Sequence, residues 1–319
     1  MPTPTSAASS PKPTTNLSGV GAPAASALRI DQETIGQARE VADGFWIIAT
    51  RHRPGLSKHM FEINNRCVVF RLFDSTAGAT CLVVVNAVEP TDAIPEVRRL
   101  ERKTGLTVRY IVSPGGGHHL HVDPWYAAFT SAKILLGPVR VPQTVHGKKL
   151  MQLPRVELMN IDDPLPQFRG QLDAVLFHGL VGPADSQTPG DGGPDTKMAL
   201  MKGMLHLMRS RAPADELWLH HVASGTVLAG ENLAWYYPRA ALRKQPFMAR
   251  QMLKPDKVWI WTVARKVGEA QIVAACWRRI LAWPARTVMT YHDVIGAAIT
   301  TDSRAALADA VKQSGQLNA

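Results

Sequence analysis

The chain of 319 residues contains only three cysteines, Cys67, Cys81 and Cys276. They are far apart, odd in number and form no C-x-x-C pair, which argues against a disulfide framework and against a thiolate metal site. They read instead as small buried hydrophobes of a reducing compartment. No stretch approaches the roughly 18 apolar residues that a membrane span requires, so no membrane partner is expected and the chain reads as cytoplasmic. Runs of five or six like charges are missing, as is any ladder of alternating basic and aromatic residues, and a nucleic-acid partner is therefore not expected. A G-x-S-x-G elbow, an H-E-x-x-H helix, a Walker loop and a Rossmann glycine fingerprint are also missing.

What is present suits a globular protein of enzyme size. The chain is 45% hydrophobic, enough to bury a large core. Lys and Arg number 36 against 26 Asp and Glu, a net charge of +10 that favours anionic partners. Residues 1–28 are rich in Pro, Ser, Thr and Ala with a single Lys12, and read as a disordered tail. Strands are expected over 44–50, within 61–73, and over 81–88, where the continuous run CLVVVNAV suggests a strand buried on both faces. Thr91 and Asp92 cap an amphipathic helix carrying Ile94, Val97, Leu100 and Leu106. Strands follow at 108–112 and 132–136, with a helix started by Pro124 between them. Farther on come a strand at 175–179, a loop over 182–195 and a methionine-rich helix over 196–211. A strand pair at 217–221 and 226–230 turns at Ser224 and Gly225. A helix over 272–283 and a strand over 287–290 complete the pattern.

One stretch concentrates the chemistry: Gly115-Gly116-Gly117-His118-His119-Leu120-His121-Val122-Asp123-Pro124-Trp125, directly after the 108–112 strand. Three imidazoles and a carboxylate within six positions at the end of a strand suit a metal site. In an extended or turning backbone His119 and His121 share a period of two and can face one ion, with Asp123 continuing the series. The glycines give backbone room beside it. His118 is a candidate outer hydrogen-bond donor.

The series His119-x-His121-x-Asp123 resembles the His-x-His-x-Asp-His signature of the metallo-β-lactamase superfamily, with Pro124 where that family has its last histidine. The resemblance extends through Asn65-Arg66, Val83-Val84-Val85-Asn86, Val108 to Val112, Leu172-Asp173, Leu217 to Glu231 and Tyr291-His292-Asp293, in that order. It implies an α/β fold, a four-layer αββα sandwich with metals between the edges of two sheets. Residues 29–319 would form this domain, with a methionine-rich helical insertion around 182–212. Carried over position by position, the implied metal ligands are His119, His121, Asp123, His221, Glu231 and His292. His178 and His220 remain alternatives for the third histidine.

The function this implies is a metal-dependent hydrolase acting on an ester, lactone or activated ether of a small molecule. The expected cofactor is a divalent metal, zinc first, with iron or manganese as alternatives. Asp123 and His292 are the candidate catalytic groups, for base and proton-donor roles. Trp125, Trp235, Tyr236 and Tyr237 would suit a flat or aromatic substrate if they line the mouth. An iron oxidoreductase on the same fold and a non-catalytic binding protein are the rival readings. The methionine-rich helix is either core or a contact in a homo- or hetero-oligomer.

Overall fold

The structure is a computed structural model that describes residues 28–29, 33–52, 63–115, 118–183, 211–230, 235–243, 250, 255–260, 266–292, 298–300 and 302–317. The first half of the chain makes a seven-stranded sheet in sequential order: β1 (Ala38–Ala42), β2 (Phe45–His52), β3 (Ile63–Asp74), β4 (Ala79–Val85), β5 (Val108–Val112), β6 (Lys133–Leu136) and β7 (Val156–Leu158). The first four pair antiparallel, and β4 to β7 pair parallel. Parallel pairing requires crossovers, supplied by helices α1 (Pro90–Thr104), α2 (Val122–Ala128) and α3 (Val145–Leu150).

The second half contributes β8 (Leu172–Pro183), β9 (Arg211–His221), β10 (Thr226–Ala229), a separate short pair β11 (Trp235–Tyr236) and β12 (Val258–Trp259), then β13 (Lys266–Val267), α4 (Ala270–Leu281), β14 (Thr287–Thr290) and α5 (Ser303–Ser314). Its five-stranded sheet has the order β13-β8-β9-β10-β14.

Three apolar cores separate four layers. Phe45, Phe70, Val83, Val85 and Val112 of the first sheet meet Leu176, Leu217, Leu219, Leu228 and Met289 of the second. On the outer face of the first sheet, Leu82, Val84 and Ile111 pack under Val97 and Leu100 of α1 and Trp125 of α2. On the outer face of the second, Phe177, Trp218, Val227 and Val288 pack under Val273, Trp277 and Ile280 of α4 and Leu307 and Val311 of α5. The order is α, β, β, α, as the sequence led us to expect. Strand β4 is buried on both faces because alternate residues serve two of these cores.

The methionine-rich helix and the loop before it lie outside the described residues, except that Gly182 and Pro183 end β8 and Arg211 opens β9. Most of the expected tail is likewise outside them, while Leu28 packs on the core between the sheets. Cys67, Cys81 and Cys276 are free and buried. Among the described residues no helix is long and apolar enough to cross a membrane.

Candidate functional site

Strands β4, β5 and β6 run parallel, so their C-terminal ends, Val85, Val112 and Leu136, lie along one edge of the first sheet. Beyond β5, Gly115 forms an antiparallel bridge with Glu216, and Leu217 N–H donates to Pro114 O at 2.6 Å. The middle of β9 is thereby joined to this edge. Because β10 runs antiparallel to β9 and parallel to β14, both β10 and β14 end here too. Buried polar groups collect at the junction: Asn86, Ser113, His118, His119, Asp215, Glu216 and His292. Asp215 accepts from Val139 N–H at 3.0 Å and Arg140 N–H at 3.1 Å, tying the loop after β6 to β9. Burial nevertheless pushes its carboxyl above the usual carboxylate range. A Cβ on Gly137 would lie 2.5 Å from Asp215 Oδ2, so only glycine fits there.

At the centre of the junction the rings of His118 and His292 stack, 5.4 Å between centroids and 19° between planes. His292 Nδ1–H donates to Asn64 O at 2.9 Å. His118 Nδ1 lies 2.5 Å from Asn86 Oδ1. The support behind this pair comes from β3. Arg66 is buried and forms a two-pronged ion pair with Glu33, Nε to Oε1 at 2.6 Å and Nη2 to Oε2 at 2.9 Å. Its Nη1 donates to Thr290 O at 2.6 Å, and its backbone N–H donates to Tyr291 O at 3.0 Å. The turn carrying His292 is thus pinned from β3.

A second group sits beside the first. The ring of His119 stacks on His146 at 5.5 Å, and its Nε2 lies 3.2 Å from Thr144 Oγ1. Thr144 caps α3, accepting from Gly147 N–H at 2.8 Å. His146 Nε2 lies 3.2 Å from His119 O and 3.6 Å from Asp123 Oδ2. His146 is not among the residues that the sequence singles out. The signal that points to it is its place behind the Thr144 cap, which aims it back at the 118–121 turn.

No comparison with family models or with curated proteins gives a match. Solved structures do match. Two crystal structures of a metallo-β-lactamase from Erythrobacter litoralis, one with β-mercaptoethanol in its active site, align with TM-scores of 0.50 and 0.51. Identity is 10% and 11%, over 86% of this chain and 92% and 96% of theirs. A β-lactamase domain protein from Burkholderia ambifaria aligns at 0.49 and 13% identity, over 88% of this chain and 77% of that one. The chain has the metallo-β-lactamase fold. At such identities the likeness concerns the fold alone.

Within this metallo-β-lactamase fold the five described residues of the six expected ligands do not gather as their spacing suggested. Residues 118–121 form a turn, and α2 begins at Val122 with His121 as its N-cap residue. Pro124 favours this, since the first helical turn needs no N–H from it. The alternation of an extended chain is therefore lost: His119 is buried, His121 half-buried and Asp123 exposed. Burial holds His121 below the ordinary histidine value, against the pull of Glu89. His221 needs a plain correction. It ends β9, five residues past Glu216, which at about 3.3 Å per residue puts it roughly 17 Å along the strand from the junction. There its ring stacks on Phe70 at 5.1 Å and meets Phe45 edge-on at 5.3 Å, in the core between the sheets.

Of the alternatives to His221, His220 lies beside it at the far end of β9, whereas His178 lies in the β8 bulge opposite Asp215 and Glu216, at the level of the junction. His220 faces the outer core, with Nδ1 3.0 Å from Asp173 and its ring on Trp283. His178 Nδ1 lies 2.9 Å from Leu176 O and 3.9 Å from Cys276 Sγ, at the β8 bulge. Glu231 lies outside the described residues. Trp125 is buried in the outer core and donates to Val88 O at 2.9 Å, so it does not line a mouth. Tyr237 is buried, with its hydroxyl 3.4 Å from His292 O, Tyr236 packs on the other outer core, and the side chain of Trp235 is outside the described residues.

For a metal ion the donor chemistry at the His118 and His292 pair is suitable, and the pair stands at the sheet junction. Ligating imidazoles characteristically have their second ring nitrogen tied to an oxygen. His118 and His292 both show that arrangement. They are two donors, and among the described residues no three His, Cys, Asp or Glu side chains converge as a metal site.

Proposed function

We propose that the protein is a metal-dependent hydrolase acting on a small anionic or aromatic ester, lactone or activated ether, with zinc as the first candidate and iron or manganese as alternatives. One observation carries the reading: the stacked His118 and His292 at the edge where both sheets meet. These two residues would hold the ion, His292 fixed through Asn64 O and His118 through Asn86. A bound divalent ion supplies Lewis acidity toward a carbonyl oxygen and toward water.

The chain's own groups do the rest. With His292 assigned to the ion, proton transfer falls to Asp123 and His146 at the exposed rim, where carboxylate and imidazole lie 3.6 Å apart and in reach of solvent. The net charge of +10 draws anionic substrates toward the site. A second reading, a binding protein without catalysis, is favoured by the lack of a third convergent donor among the described residues.

Elemental analysis of protein purified without added metal separates the two, alongside an ester and lactone panel. Near-stoichiometric metal is expected in the native chain and in His221→Ala, and its loss in the His118→Ala/His292→Ala double variant. Hydrolysis should fall in that double variant by more than the roughly 10–100-fold typical of losing an outer hydrogen bond. Metal retained in the double variant sinks the assignment. No metal and no hydrolysis in any of the three proteins leaves the binding reading.

A further inference from the structure

We propose that Asn86 and Asn65 are positioning residues, a two-amide relay that holds His118 in the single tautomer with its proton on Nδ1. Asn86 follows β4 with φ +68°, in the left-handed region that side chains rarely adopt, and it is fully buried. Asparagine tolerates that region better than most residues, but burying an amide there serves no turn that glycine would not serve as well. What the amide does is oriented by its partners. Asn86 Nδ2 donates to Asn65 Oδ1 at 2.6 Å and to Arg66 O at 2.8 Å.

A backbone carbonyl only accepts, so the contact with Arg66 O fixes which end of the Asn86 amide is nitrogen. The oxygen end then faces His118 Nδ1 at 2.5 Å. An amide oxygen also only accepts. In the neutral ring the proton must therefore sit on Nδ1, and the lone pair on Nε2. The opposite tautomer, which free histidine prefers, would set two acceptors against each other in a buried place.

Sequence order makes the relay compact. Asn64, Asn65 and Arg66 are consecutive on β3, and they serve both imidazoles: Asn64 O holds His292, while Asn65 and Arg66 O hold Asn86 and through it His118. A short polar run at the start of β3 thereby sets which nitrogen each ring presents. The importance of that choice for a bound ion or a proton in transit rests on the hydrolase reading. The tautomer itself does not.

The test is nitrogen NMR of the full chain with 15N-labelled histidine rings, at alkaline pH after chelator treatment, with the His118 signal identified by its loss in His118→Gln. In the native protein Nδ1 should show the protonated shift and Nε2 the unprotonated one. Asn86→Gly keeps the left-handed backbone but removes the amide, and the His118 proton should move to Nε2 or average between the two nitrogens. Asn65→Ala should give a smaller change in the same direction, since Arg66 O still orients the amide.

A native spectrum with the proton on Nε2 overturns the proposal, and it does so whether or not any variant folds. An unchanged tautomer in folded Asn86→Gly overturns it equally, and no change in Asn65→Ala removes Asn65 from the relay. If the native chain carries metal, Asn86→Gly should bind it about 10–100-fold more weakly. A chain that holds no metal but shows the Nδ1 tautomer refutes the hydrolase reading alone. Metal binding with the wrong tautomer refutes the relay alone.

Discussion

Acidification from pH 7 to pH 4 acts on His221 in a way the structure lets us work out. Its ring is buried against Phe45 and Phe70. Ser224 Oγ donates its own proton to Thr226 Oγ1 at 2.8 Å and so accepts from His221 Nδ1–H at 2.8 Å. The neutral ring is satisfied. Charging it is opposed first by burial and then by the neighbouring His220, and the pKa falls from 6.5 to about 4. The unfolded chain therefore binds a proton near pH 6.5 that the native protein refuses until about pH 4. Stability is unaffected by this group above that window and is lost progressively as pH falls through it. At 1.36 kcal/mol per pH unit the gap amounts to about 3 kcal/mol by pH 4. Urea unfolding followed by tryptophan fluorescence at several pH values measures it, with His221→Asn as the reference. Asparagine keeps a donor near the Nδ1 position and does not titrate, though lost packing makes it about 2 kcal/mol less stable at pH 7. Between pH 7 and pH 4 the variant should lose about 3 kcal/mol less stability than the native chain. Parallel curves for the two proteins refute the reasoning.

The Arg66 and Glu33 pair has no exposed side-chain surface on either partner. Arg66→Met leaves a buried carboxylate without its guanidinium and removes the bond to Thr290 O, so unfolding should require about 3–5 kcal/mol less. The loss should be nearly the same at low and high salt, because a buried pair is poorly screened; a deficit below about 1 kcal/mol contradicts the role given to the pair. Asp215→Ala releases the Val139 and Arg140 N–H groups and should cost about 2 kcal/mol, with hydrogen exchange at those two amides accelerating well beyond that of β6. Unchanged protection there would show that the loop is held by something else.

The individual strands and helices were legible because they depend on local periodicity, whereas the layer order came from the resemblance to the metallo-β-lactamase superfamily. CLVVVNAV announces a strand with two apolar faces, and Ile94, Val97 and Leu100 announce the helix that covers one of them. The site was legible only in part. That histidines and acids follow β5 could be read, but their directions depend on where the backbone stops being extended, and α2 starts one residue after His121. His221 stood in the right order along the chain but on the wrong end of an 11-residue strand. Strand polarity, which decides the end, follows from pairing with residues far away in sequence. The stacking of His118 on His292 and the ion pair from Arg66 to Glu33 are likewise long-range contacts with no local pattern. Asn86 is the borderline case: an asparagine directly after a run of valines hints at a left-handed residue, though not at the histidine it faces.

The outermost strand of the first sheet has its backbone groups occupied. Ala38 N–H of β1 donates to Glu96 of α1, Arg99 of the same helix reaches Ala38 O, and Arg29 N–H donates to Val41 O, while a bulge near Glu40 breaks the ladder. At the other margins β7 has three residues and β13 two, and β14 is closed by reciprocal bonds between Val288 and Ile299. Among the described residues, margins of the two large sheets finished in this way make poor templates for an added strand, which protects a valine-rich protein against edge-to-edge aggregation as it folds at high concentration. Glu96 and Arg99 of α1 thus guard the β1 edge, and substitutions that clear them are the ones that would open it to strand addition.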